Sequence, residues 1–295
     1  MTFNLVLPSL LAVVTGLGAG VMQSRLRSST AVRVMTLLAA VSALGVAWGL
    51  FLIAGGFLVQ VPWLAERAGW CRRVLDAHDT VPPLAGVGAL VVLAAMAAAV
   101  TRFERRWRAT LRRCGDGEGL EVLDVDTPLA YAVPGEPGRV VVSTGMLGAL
   151  DAQERRALLA HEWSHLERRH HRYLRIAGWA GAAVPVLRPL EAHLRFATER
   201  WADEDAVIAV GDRRVVARAI ARAALAGPPV PMPGVLAMAG IGVAARVEAL
   251  VSGPPASRLT AVAPLAGATT IASLTGSTVQ LHHLFAFGAH VCGLA

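Results

Sequence analysis

Lysine is absent from this 295-residue chain: all 28 basic residues are arginine. That one-sidedness reflects composition bias and carries no functional reading. Aromatic residues are scarce, at 5%, so the apolar content rests on Ala, Val, Leu and Gly. Three cysteines, none in a C-x-x-C pair, exclude a disulfide framework and a zinc ribbon. Charged residues make up 17% of the chain against 55% hydrophobic, and the mean hydropathy is +0.52, high for a soluble protein. The net charge of +7 would suit a nucleic-acid partner. The arginines, however, cluster beside apolar runs, which is a pattern of membrane topology, so no nucleic acid is expected. No charged segment precedes the first apolar run, and that run is too long for the core of a signal peptide.

What is present is a set of uncharged stretches. Phe3 to Met22, Val34 to Val59 and Val81 to Val100 each have the length needed to cross a bilayer. Leu259 to Leu281 is a fourth, less apolar but free of charge. Arg25, Arg27 and Arg33 lie between the first two spans with no acid among them, and six arginines from Arg102 to Arg113 follow the third. In the loop between spans two and three, Arg67, Arg72 and Arg73 are balanced by Glu66, Asp76 and Asp79. Positive charge therefore puts the N-terminus outside, the 102–258 region in the cytoplasm and the C-terminal tail outside. Cys71 and Cys292 then share the outer side, where a disulfide can form, while Cys114 stays inside. Gly16-x-x-x-Gly20 and Gly45-x-x-x-Gly49 have a spacing that lets helices approach, although glycine-rich spans often produce it by chance. A shorter apolar stretch, Ile176 to Leu187, cannot span alone; it reads equally as a buried helix or as a segment at the membrane surface.

The region after the third span changes character. Two β-type runs, about Leu129–Val133 and Arg139–Ser143, flank the turn signal "PGEPG". Asp151 with Glu154 three residues later predicts a capping box opening a helix over about Ala152–His171. A second helix is expected from about Pro189 to Val210, stopped by Gly211. Arg139–Ser143 is a candidate edge strand for an extended substrate.

The first of these helices carries "HEWSH". Random placement of the nine His and twelve Glu in 295 residues gives H-E-x-x-H roughly 0.01 times per chain, so chance is a poor explanation. His161 and His165 stand one turn apart on one helical face and can share a metal. Glu162 is rotated about 100° from them and is placed to act as a base on a metal-held water. A third ligand is needed. His171 would complete the pattern H-E-x-x-H-x-x-G-x-x-H, but Arg168 stands where that pattern needs a helix-breaking Gly. In a continuing helix His171 lies about 240° round from His165. His170 and His171 are therefore read as part of a polar helix end with Arg168, Arg169 and Arg172. The other candidate lies in "TERWADEDAV", where Glu199 and Asp203 share one face: Glu199 to ligate, Asp203 to hold a ligand His by its free ring nitrogen.

"HEWSH", the E-x-x-x-D of "ERWADEDA" and the run "RVVVSTGML" before the first helix resemble the membrane-embedded gluzincin metallopeptidases of families M48 and M56. The order of three spans, a cytoplasmic domain and a fourth span is most similar to M56. The resemblance implies Zn²⁺ as cofactor, with His161, His165 and Glu199 as ligands, Glu162 as the catalytic glutamate and Asp203 as the carboxylate behind a ligand. "ARVEAL" resembles an R-x-x-A-L motif whose Arg, with a nearby His, aids the transition state. No such His precedes Arg246, which is a candidate for that role but reads more readily as a juxtamembrane topology arginine.

The expected fold class is a mainly α-helical multipass membrane protein with a cytoplasmic gluzincin-like zinc-peptidase domain, helical with a small β-hairpin or sheet. Its parts are three spans in 1–101, the peptidase domain in 102–258, and a fourth span with the tail in 259–295. The expected partners are a protein or peptide substrate and the lipid bilayer. The expected activity is zinc-dependent endoproteolysis at the cytoplasmic face, in regulated signalling or membrane-protein quality control. The alternative is a membrane sensor or scaffold that keeps zinc only for folding.

Overall fold

The computed structural model describes residues 3–63, 81–115, 117–227 and 242–253. The expected fourth span, the loop arginines between spans two and three and the Cys71–Cys292 pair lie outside them. The chain is mostly helical with a small sheet.

Three long helices come first: α1 (Phe3–Arg25), α2 (Ser28–Val59) and α3 (Pro83–Cys114). Among the described residues, Ser28–Leu58 and Pro83–Cys114 are long and apolar enough to cross a membrane. α3 opens on a proline, whose fixed φ suits a first turn, and closes with Arg112 and Arg113, whose charge favours the carbonyl end of a helix. The small-residue face of α1 is used. A Cβ on Gly16 would stand 2.4 Å from the Val186 carbonyl oxygen, and one on Gly20 would stand 3.4 Å from the His193 ring.

A three-stranded sheet follows: β1 (Gly119–Leu123), β2 (Ala130–Val133) and β3 (Arg139–Ser143), in the order β1-β3-β2. β1 runs parallel to β3 and β2 antiparallel, with Val142 opposite both Val122 and Ala130. The run expected to be an edge strand is therefore the buried centre of the sheet; its two sides are taken by β1, which the sequence reading did not anticipate, and by β2. Ser143 ends β3 and starts the short α4 (Thr144–Ala149), its hydroxyl accepting from Met146 N at 3.1 Å.

α5 (Ala152–Glu167) begins with the expected capping box. Asp151 Oδ1 accepts from the backbone N–H groups of Gln153 and Glu154, and Glu154 Oε2 accepts from Asp151 N–H. The helix ends four residues earlier than expected. Arg169 adopts a left-handed conformation, φ 54°, and α6 (His170–Ala183) starts afresh in a new direction. A non-glycine residue there costs about 1–2 kcal/mol. A 3₁₀ turn (Pro185–Leu187) leads to α7 (Arg188–Val210), capped by left-handed Gly211. α8 (Arg213–Ala226) and α9 (Val243–Ser252) complete the described chain.

Two apolar clusters organise these elements. One joins α1, α2 and α3 to α6, the 3₁₀ turn and the first half of α7, through residues such as Met35, Leu174, Leu194 and Trp201. Within Ile176–Leu187, Ala177, Ala180, Val184 and Leu187 are buried in this cluster, whereas Pro185 and Val186 are exposed. The other cluster joins the sheet to α4, α5, α8, α9 and the end of α7, through Val142, Leu158, Ala206 and Ile220. α7 passes from one cluster to the other, and its acidic turn lies at the crossing, against α5.

Candidate metal centre

α5 and α7 bring the sequence-predicted residues together. His161 Nε2 and His165 Nε2 are 3.1 Å apart. Glu199 Oε2 lies 3.4 Å from His161 Nε2, and Glu199 Oε1 lies 3.6 Å from His165 Nε2. Zinc–nitrogen bonds of about 2.0–2.1 Å in a tetrahedron set ligand atoms about 3.3 Å apart. The two imidazole nitrogens and the Glu199 carboxylate, which turns one oxygen to each, already stand at about those separations. Among the described residues Glu199 Oε1 is buried without a hydrogen-bond partner, which leaves an acceptor open.

Charge points the same way. Glu162, Glu199 and Asp203 are at most 2% exposed, and the guanidinium of Arg246 is buried among them. Three carboxylates against one guanidinium leave two negative charges, which a divalent cation neutralises. Without compensation such burial is costly. By spacing, burial, charge and donor type the residues fit a zinc ion.

Asp203 Oδ1 faces His161 Nδ1 at 3.0 Å, on the side of the ring away from the cluster. Glu162 is buried one residue along α5 and its charge acts on Arg246. Burial pulls the pKa of His161 down, but the Asp203 and Glu199 carboxylates outweigh it and hold it up at about 9. His165 goes the other way: burial drives it well below the ordinary imidazole range, and only Glu199 opposes this. Burial would raise Glu199 and Asp203, yet Arg246 keeps both below the usual carboxylate range. In the metal-free protein one proton therefore rests on His161 while His165 is neutral.

Two residues of the centre stand where the favoured sequence reading did not put them. Arg246 is not a juxtamembrane arginine. It is fully buried on α9, with Nη2 2.6 Å from Asp203 Oδ1, Nε 2.8 Å from Asp203 Oδ2 and Nη1 3.0 Å from Glu199 Oε2. The available signal was the charge count itself, since two ligand-side acids predicted for one site call for a buried cation. His170 is not part of a polar helix end either. The left-handed turn at Arg169 swings it inward, fully buried, with Nδ1 2.8 Å from His165 Nδ1. No local signal marks that turn, because arginine occupies it. His171 lies outside the cluster and lines a cavity of about 720 Å³ beside Trp107 and Arg175.

No curated protein and no solved structure matches the chain. M48 peptidases are zinc-dependent, and the His161, His165 and Glu199 group is able to hold a metal. Residues 117–230, from just before β1 to just beyond α8, match the model of Peptidase family M48, which supports the M48 side of the resemblance and a metallopeptidase.

Proposed function

We propose that the protein is a membrane-bound zinc endopeptidase that cleaves protein substrates at the cytoplasmic face of the membrane. The observation that carries this reading is the buried group of His161, His165 and Glu199, with the two Nε2 atoms 3.1 Å apart and the two Glu199 oxygens 3.4 and 3.6 Å from them, inside the segment that matches Peptidase family M48. His161, His165 and Glu199 would hold the ion. A zinc ion there supplies Lewis acidity, polarising a scissile carbonyl and lowering the pKa of a water molecule. Asp203 takes the Nδ1 hydrogen of His161, which leaves Nε2 bare as a donor atom. Glu162 accepts a proton on its carboxylate and returns it to the leaving amine nitrogen. Arg246 holds Asp203 and Glu199 in place and balances their charge. With β3 enclosed, pairing with an extended substrate falls to the edge strand β2, which packs on α5.

The membrane part of the reading rests on α2 and α3. Only 28% and 17% of their most apolar windows are buried within the protein, whereas the core helix of a soluble domain is mostly buried. Large side chains such as Leu44, Phe51, Leu84 and Val91 are exposed on them. The proposed layout keeps three spans in 1–101, the peptidase domain in 102–258 and a fourth span in 259–295. The arginines that cluster beside the first and third spans support a cytoplasmic side for the peptidase domain. Comparative proteomics of cells carrying wild type or Glu162→Gln tests the proposal. Substrates accumulate uncut with the variant; indistinguishable proteomes favour the scaffold alternative.

A further inference from the structure

A line of ring contacts leads from the metal centre to the first turns of α2. His165 offers Nε2 to the cluster, so its other nitrogen, Nδ1, is free to bond elsewhere, and it does so to His170 Nδ1 at 2.8 Å. The two rings meet edge to face, 4.9 Å between centroids and 74° between planes. His170 packs in turn against Trp201, with ring centroids 4.9 Å apart. Trp201 belongs to the apolar cluster that includes Ala31, Val32 and Met35 of α2. The guanidinium carbon of Arg33, also on α2, stands 5.1 Å from the Trp201 ring centroid, within reach of a cation–π contact.

We propose that His170 is a positioning residue for the metal ligand His165, and that α2 secures it through Arg33 and Trp201, so that the seating of this long apolar helix sets the metal affinity of the site. The inference rests on the metal-site reading above. At 2.8 Å one nitrogen of the pair carries the hydrogen and the other accepts it. A ligating His165 keeps Nε2 bare, so its hydrogen sits on Nδ1 and is donated to His170. That bond fixes both tautomer and ring orientation, as Asp203 does for His161. The two ligands are thus held differently: His161 by a carboxylate on α7, His165 by a neutral ring whose support comes from the apolar helix. The fold accepts a left-handed arginine at position 169 to bring His170 there, and His170 Nε2 is buried without a hydrogen-bond partner among the described residues. Both are unfavourable locally, and both serve the placement of this ring.

The test uses the full-length protein in lipid nanodiscs, with zinc affinity measured by chelator competition and the visible spectrum of the Co²⁺ form reporting ligand geometry. His170→Ala is expected to weaken zinc binding about 10- to 100-fold and to alter the Co²⁺ spectrum. Asn places an amide near the position of the histidine Nδ1, whereas Gln places it near Nε2. His170→Asn is therefore expected to regain most of the affinity and His170→Gln to regain little, a contrast that holds even if the alanine variant folds poorly. Arg33→Gln, remote from the metal, is expected to weaken binding several-fold. Wild-type affinity in both His170→Ala and Arg33→Gln, or equal affinity in the Asn and Gln variants, overturns the inference. Glu162→Gln separates the two readings. If it keeps zinc and still cleaves, the peptidase reading fails while the affinity series still judges the role of His170; if wild type takes up no zinc, both fall.

Discussion

Arg246 and Asp203 form a fully buried, two-bond ion pair, with contacts of 2.6 and 2.8 Å, between α9 and α7. The same guanidinium reaches Glu199 at 3.0 Å. A segment 43 residues downstream thus locks the acidic turn that faces the two histidines. Removing one partner of such a pair strands the other charge in a dry environment. Arg246→Met is expected to destabilise the metal-free protein by about 3–5 kcal/mol. Zinc should recover part of that loss, because the ion supplies positive charge beside Glu199. Thermal unfolding of variant and wild type, with and without zinc, measures both effects.

The proton on His161 makes metal binding pH-dependent. Its pKa is raised in the folded protein from the ordinary 6.5 to about 9. The stabilisation that goes with it is fully present below pH 6.5 and is lost as pH rises through 9. A ligating imidazole must be neutral, so zinc has to displace this proton. At pH 7.5 zinc uptake is expected to release close to one proton per site from His161, a contribution that fades above pH 9. Titration calorimetry in two buffers of different ionisation enthalpy gives that number. The metal-free protein should also lose stability between pH 6.5 and 9 while the zinc form does not.

Glu154 joins two functions in one carboxylate. It closes the capping box of α5 and is fully buried against Arg222 of α8, 2.8 Å away. Glu154→Ala removes the reciprocal half of the capping box and leaves a space beneath Arg218 and Arg222. A loss of about 2 kcal/mol is expected, read from denaturant unfolding. Because α5 carries His161, Glu162 and His165, activity should fall along with stability as the first turn frays.

The contact of α1 with the 3₁₀ turn leaves no room for a side chain at position 16. A Cβ there would press on the Val186 backbone oxygen, which cannot rotate away. Gly16→Leu is expected to cost about 1–3 kcal/mol and to lower the melting temperature. Gly18 of the same helix meets nothing within 4 Å, so Gly18→Leu, its control, should be neutral.

Much of this architecture can be read from the residues. The capping box at Asp151, the stop at Gly211 and the helical spacings of His161 with His165 and Glu199 with Asp203 are local patterns, and local patterns survive folding. The helix break at Arg169 is different: arginine has no preference for a left-handed turn, and only the packing of His170 and Leu174 into the core requires it. Arg246 was misread for a related reason. Beside an apolar segment an arginine looks like a topology signal, and its real partners lie on another helix. The central position of β3 depended on β1, whose short "GLEVL" lies beyond a run of Gly and charged residues that conceals it. The fourth span, beyond residue 253, is outside the described structure and stays an expectation.

The central claim is that His161, His165 and Glu199 hold a zinc ion on which Glu162 acts as base. Zinc content and proteolysis of purified wild type, Glu162→Gln and Glu199→Ala test it together. The account predicts one zinc per chain in wild type and in Glu162→Gln, cleavage only in wild type, and loss of both metal and cleavage in Glu199→Ala. Cleavage by Glu162→Gln at the wild-type rate, or full zinc retention by Glu199→Ala, would contradict it.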